Sequence, residues 1–126
     1  MKQQLSTDNA PKAGHILSQG VISDGIVYVS GQIHQKPDGT MIVGSVKEKI
    51  DQIMQNISAI LQAADMTFNE IVKVVIYVTG MAQMPELNEI YQTYFTKPFP
   101  VREAIGVQAL PLGATIEISV VAKSER

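Results

Sequence analysis

The stretch from Ser45 to Ala64 constrains this chain more than any other. Ser45-Val46-Lys47-Glu48 fits a capping box, in which the serine hydroxyl and the glutamate carboxylate each accept from a backbone N–H left open at a helix start. Apolar residues follow at Ile50, Ile53, Met54, Ile57, Ile60, Leu61 and Ala64. That spacing forms a single stripe, so the segment predicts a helix with one face laid on something flat and apolar. The flat surface has to come from strands elsewhere in the chain.

Those strands are legible on either side. Leu17–Ile22 and Ile26–Ser30 flank Ser23-Asp24-Gly25, and Asp-Gly between apolar runs is a strong hairpin signal because both residues accept positive φ. The short segment Gln32–Gln35 leads to a second turn, Pro37-Asp38-Gly39-Thr40, and on to Met41-Ile42-Val43. Thr67-Phe68-Asn69-Glu70 repeats the capping-box pattern and predicts one short turn. Ile71–Val78 is a β-branched run that reads as a central strand. Pro85 opens a second helix with the stripe Leu87, Ile90, Tyr91, Tyr94 and Phe95, stopped by Pro98 and Pro100. Strands Arg102–Val107 and Thr115–Ala122 close the chain, joined by Leu110-Pro111-Leu112-Gly113. Residues 1–13 read as an irregular arm, since Asn9, Pro11 and Gly14 discourage regular structure. The order β-β-β-α-β-α-β-β gives an α+β fold, one sheet with two helices on one face. At 126 residues it fits one domain, residues 1–126.

Composition narrows the function classes. Charged residues make up only 17% against a usual share of about 25%, while 45% are hydrophobic. A small domain with so few ionic groups is relieved by burying part of its surface against copies of itself. Without cysteine there is no disulfide framework, zinc-thiolate site or thiol nucleophile. A net charge of -2 argues against a dedicated nucleic-acid binder. No apolar run approaches the ~20 residues of a membrane span, and the polar segment Met1–Ala10 lacks a signal-peptide core. Together these predict a cytoplasmic protein.

No stand-alone catalytic signature is present: no phosphate loop, no His-x-x-x-His pair and no Gly-x-Ser-x-Gly elbow. His15 and His34 lie in turn-like segments without carboxylates at metal-ligand spacing, and read as solvent-facing or loop-bonding. Asn56-Ile57-Ser58 matches a glycosylation acceptor but falls mid-helix and is discounted; Met54 and Met84 read as core filler. Two charges break the pattern. Alternation puts Ile116, Ile118 and Val120 on one face of the last strand and Glu117 on the other, while Arg102 shares a face with Ala104 and Gly106 in the strand read as its neighbour. An ion pair on a solvated sheet explains them as well as a working pair does. Asn88 reads as a surface residue by default. Gly31, after Ser30, marks either a β-bulge or a close approach by a ligand.

Taken in order, Ala10-Pro11, Ser18-Gln19, Val27-Tyr28-Val29-Ser30-Gly31-Gln32, Asn56-Ile57-Ser58-Ala59-Ile60-Leu61, Asn88-Glu89-Ile90-Tyr91, Tyr94-Phe95, Pro100-Val101-Arg102, Leu110-Pro111 and Ile116-Glu117-Ile118 resemble the reactive intermediate deaminase family (RidA/YjgF, also called endoribonuclease L-PSP) over nearly the whole chain. The resemblance implies chorismate-mutase-like subunits in a homotrimer, with three sites at subunit interfaces. It implies hydrolysis of 2-imino acids and their enamine tautomers, such as 2-aminoacrylate, to 2-oxo acids and ammonia, with no metal or organic cofactor. By the resemblance Arg102 binds the substrate carboxylate and Glu117 positions or activates water, a role that suits a carboxylate base. Leu17, Ser30, Gly31, Asn88 and Ala104 match other residues lining the site.

Two matched positions differ from the family's usual residues. Leu17 stands where a tyrosine is common, and Arg102-Glu103-Ala104 where Arg-Ser-Cys or a close variant is common. Alternation aims Glu103 at the opposite sheet face from Arg102. Arg102 beside Glu117 is expected to keep that carboxylate ionised. The alternatives are a non-catalytic or specialised trimer that binds small carboxylates and, behind it, a ribonuclease or translation inhibitor, which would need a basic stripe or aromatic platform.

Overall fold

A capped amphipathic helix, α1 (Val46–Gln62), covers much of one face of the sheet. The computed structural model describes residues Met1 to Glu125. Both halves of the predicted capping box form: Glu48 N–H donates to Ser45 Oγ and Ser45 N–H to Glu48 Oε1, each at 3.1 Å. Ile50, Ile53, Met54, Ile57, Ile60 and Leu61 are all buried on the side facing the sheet, each contributing roughly 1.5–3 kcal/mol. Asn56 is buried among them, its amide donating to Gln35 O at 2.8 Å, which leaves no surface for a glycan.

The sheet has six strands: β1 (Gln3–Leu5), β2 (Gly20–Ser23), β3 (Ile26–Ile33), β4 (Ile71–Val78), β5 (Val101–Gly106) and β6 (Ile116–Lys123). They lie in the order β1-β2-β3-β6-β4-β5. Every neighbouring pair is antiparallel except β4 and β5. Those two run parallel because the second helix, α2 (Met84–Tyr91), carries the chain back between them. Val27, Val29, Val74, Ile76, Val78, Ile116, Ile118 and Val120 form the covered face and pack against α1 and Leu87 of α2. The fold is the α+β arrangement read from the sequence, one mixed sheet with two helices on one side.

Several boundaries differ from the sequence reading. Gln3–Leu5 is not irregular: it pairs with β2 and buries Leu5, in a strand too short to show alternation. The segment before Gly20 turns instead of extending, and β2 is correspondingly shorter. Met41–Val43 makes no strand, only a Gln35–Met41 bridge, because the 37–40 turn folds it back locally. The Asp24-Gly25 hairpin stands as predicted, with φ of 53° and 76°. Helix α2 ends at Tyr91 in a 3-10 turn, well before Pro98.

Candidate functional site

Arg102 is the second residue of β5, the edge strand that follows α2. It lies in register with Val74, so its side chain emerges on the helix-covered face, where the edge lets it reach solvent. Asn88 and Tyr91, one turn apart on α2, hold it. One guanidinium nitrogen donates to Asn88 Oδ1 at 2.8 Å, and the guanidinium carbon sits 5.0 Å from the centre of the Tyr91 ring. A cation over an aromatic face is attracted by the ring's negative quadrupole, and the stacked plane loses little freedom. Among the described residues no carboxylate pairs with Arg102. The rest of the fork is therefore open to an anion. Ala104, two residues along the same face, is half-buried.

Glu117 lies on the other face. It is in register with Tyr77 of β4 and Ile33 of β3, across the β-bulge that interrupts pairing between Val29 and Gln32. Gly31 sits in that bulge, against the carboxylate. A Cβ at Gly31 would overlap Glu117 Oε2 and come within 2.9 Å of its Cδ. The bulge reading of this glycine holds, and the group that approaches it is the chain's own Glu117 carboxylate. Ser30 donates its hydroxyl to Ser18 O at 2.6 Å, and its N–H to Gln19 O at 2.9 Å, fixing the segment that carries Leu17. These groups line an open cleft of about 340 Å³ together with Pro111 and Leu112.

The two clusters do not meet within one subunit. Strand β4 separates β5 from β6, so the expectation of neighbouring strands is corrected. Three residues along β4 and two strand spacings put the Arg102 and Glu117 Cα atoms roughly 14 Å apart, with side chains on opposite faces. The expected ion pair is absent, and with it the expected ionisation by Arg102. Burial instead pushes the Glu117 carboxyl above its ordinary value. Glu103 does point away from Arg102, as alternation requires, and pairs with Lys73 at 3.5 Å.

The sequence model of the endoribonuclease L-PSP family matches residues 7–124. The chain belongs to the endoribonuclease L-PSP (RidA/YjgF) family. Among the members it resembles is the 2-iminobutanoate/2-iminopropanoate deaminase of Rattus norvegicus, 39% identical over 123 residues, covering 97% of this chain and 90% of that one. The crystal structure of yeast Mmf1 superposes with a TM-score of 0.95 at 35% identity, covering 99% of this chain and all of the other. Escherichia coli TdcF with bound serine superposes at 0.91 with 28% identity over 98% and 99% of the two chains.

Around the residues expected from the resemblance, Arg102, Glu117, Leu17, Ser30, Gly31, Asn88 and Ala104, the structure places two side chains that the sequence reading does not single out. Tyr91 had been placed in the core stripe; its position three residues after Asn88, facing β5, was the available signal. Its hydroxyl is buried and has no hydrogen-bond partner among the described residues, and burial raises its pKa. Gln19 is buried and clamps the N-terminal arm beside the cleft, accepting from Thr7 N–H at 2.8 Å and donating to Ala10 O at 3.0 Å and Pro11 O at 2.9 Å. No sequence pattern separates it from the other glutamines. No helix among the described residues is long and apolar enough to cross a membrane.

His34 is loop-bonding, not solvent-facing. It is 3% exposed, pairs through Nδ1 with Ile42 O at 2.9 Å, and accepts at Nε2 from Thr115 N–H at 3.0 Å. That pairing requires the neutral ring with its proton on Nδ1. Burial, assisted by the nearby Lys49 ammonium, lowers its pKa below 6.5. Above pH 6.5 the ring is neutral folded and unfolded alike. As pH falls below 6.5 the unfolded chain takes up the proton first, so stability drops until the lowered folded pKa is reached. Urea unfolding between pH 7.5 and 5 is expected to show a loss for the wild type that shrinks in His34→Gln; parallel curves would show that His34 does not couple.

Proposed function

We propose that this protein hydrolyses reactive 2-imino acids and their enamine tautomers to 2-oxo acids and ammonia, at clefts formed where three copies meet. The observation that carries the reading is the separation of two complementary half-sites: an open guanidinium held by Asn88 and Tyr91 on one face, and a half-buried carboxylate beside Gly31 on the other. A small imino acid cannot bridge them within a subunit, so a working site draws Arg102 from one copy and Glu117 from the next. The uncovered sheet face exposes Tyr28, Val101 and Ile105, an apolar surface suited to packing against other copies. Self-association also answers the low charge content, and it makes an isolated subunit inactive.

The chemistry asks little of the protein. Arg102 grips the substrate carboxylate through paired charge-assisted hydrogen bonds. Glu117 takes a proton from water as the oxygen adds to C2 of the imine, giving a carbinolamine. The proton passes to the nitrogen; Glu117 then takes the carbinol O–H proton as the carbonyl forms and the C–N bond breaks, releasing ammonia and a 2-oxo acid. The raised pKa of Glu117 suits this role, because a base works best with a pKa near the working pH. Positioning of substrate and water supplies the remaining advantage. The overall similarity to relatives named 2-iminobutanoate/2-iminopropanoate deaminase and the serine bound to TdcF support a site for small amino-acid-like carboxylates.

A second reading, a trimer that binds small carboxylates without turnover, draws on Leu17, which offers no hydroxyl to a ligand. The two readings separate when 2-iminobutanoate is generated in situ and its decay followed with and without the protein. Faster decay is expected; no acceleration by an intact assembly, for any imino acid tried, would sink the deaminase reading. The cytoplasmic assignment belongs to the same proposal and is checked by fractionation, since the related Mmf1 of Saccharomyces cerevisiae is designated mitochondrial.

A further inference from the structure

Leu112 holds a backbone conformation that leucine normally avoids. Its φ is 55°, in the left-handed region where a Cβ crowds the following carbonyl. A glycine follows immediately at Gly113, so the turn does not need leucine for its geometry. Nor does the side chain serve the core, for it is 67% exposed. It lines the Glu117 cleft together with Ile16 and Leu17, which are 73% and 45% exposed. Three large aliphatic side chains left uncovered by their own subunit share one opening, and one of them is held there against backbone preference. Strain of this kind persists where the surroundings impose it and clusters at ligand-binding sites.

The polar groups of the same cleft point to what fills it. Ser30 is engaged with Ser18 O, Gln32 with Ser30 O and Gln35 with Gly39 O. Gln19 is engaged with the N-terminal arm, and Lys12 is paired with Asp8. Glu117 alone among the side chains of the cleft has no such partner within the subunit, and it is the group assigned to the reacting carbon. The polar side chains are thus mostly turned to the protein's own backbone, whereas the aliphatic groups of the rim have no such engagement.

We infer that Leu112, Ile16 and Leu17 form a side-chain subsite that makes this protein select 2-imino acids with bulky aliphatic side chains over those with a methyl or methylene group. This rests on the deaminase reading and names its substrate class. Leu17 and Leu112 then both act as aliphatic walls of the opening.

The test uses imino acids released in situ from alanine, 2-aminobutanoate, leucine and methionine by an amino-acid oxidase, with kcat/KM measured for each. Burying one methylene strengthens binding by roughly fourfold. Partial enclosure of three extra carbons is therefore expected to favour the leucine-derived imine over the alanine-derived one by about tenfold or more. Leu112→Gly and Leu112→Asn both accept the positive φ and keep the turn. Each is expected to reduce that ratio about threefold to fivefold, through a higher KM for the larger imine, and Leu17→Ala is expected to do the same. A wild type that hydrolyses all the imines equally, or prefers the smallest, overturns this inference and leaves the deaminase reading standing. Unchanged ratios in the variants overturn the assignment to Leu112 and Leu17. Failure to accelerate any imine overturns both.

Discussion

Arg102→Ala is expected to lower kcat/KM for 2-imino acids by about 10²–10³-fold, the loss of two charge-assisted hydrogen bonds to the substrate carboxylate. Stability should change little, because the side chain is exposed and its partners, Asn88 and Tyr91, belong to a helix anchored by Leu87. Arg102→Lys should recover only part of the loss: a lysine keeps the charge but not the planar fork, nor the stacking on Tyr91. Steady-state kinetics on the purified variants read this directly, and a rate equal to the wild type removes Arg102 from substrate binding. Mixing distinguishes one subunit from two. Arg102→Ala and Glu117→Gln chains, each strongly impaired alone, should regain activity when co-assembled, since some interfaces then combine an intact arginine with an intact glutamate. No recovery in verified mixed assemblies would contradict a shared site.

Glu117→Gln is the second large effect, with an expected fall in kcat of about 10²–10⁴-fold, the usual contribution of a positioned base. The substitution keeps the shape beside Gly31, so the bulge should survive. The pH profile carries the sharper signature. Because burial raises the Glu117 pKa, activity that requires the carboxylate should fall on the acid side at a pH above the ordinary carboxylate value. Protonation abolishes the base, so the rate declines as pH drops through that pKa, and the limb should vanish in the residual activity of Glu117→Gln. A retained acid limb would assign it to another group. Gly31→Ala offers a steric check, since the added Cβ would drive the carboxylate aside.

How much of this was legible in the residues depends on the range of the interactions involved. The α1 stripe, both capping boxes, the Asp24-Gly25 turn and the alternation of β6 rest on contacts within a few residues, and each appears as read. Strand β1 escaped because three residues carry no period, and its pairing with β2 is fixed by tertiary contact. Met41–Val43 looked extended but lacks a partner strand.

The site divides along the same line. Sequence alone determined which residues are chemically out of place: an arginine and a glutamate in apolar strands, and a glycine where a side chain would be ordinary. Local periodicity and side-chain chemistry are properties of the chain itself, so these needed no fold. Only the tertiary structure decided how they are distributed. Strand order is set by long-range packing, with β4 inserted between β5 and β6, and that insertion sends Arg102 and Glu117 to opposite faces. Within the subunit it also raised the Glu117 pKa through burial, and it gathered Ile16 and Leu17 with the sequence-distant Leu112 around one opening.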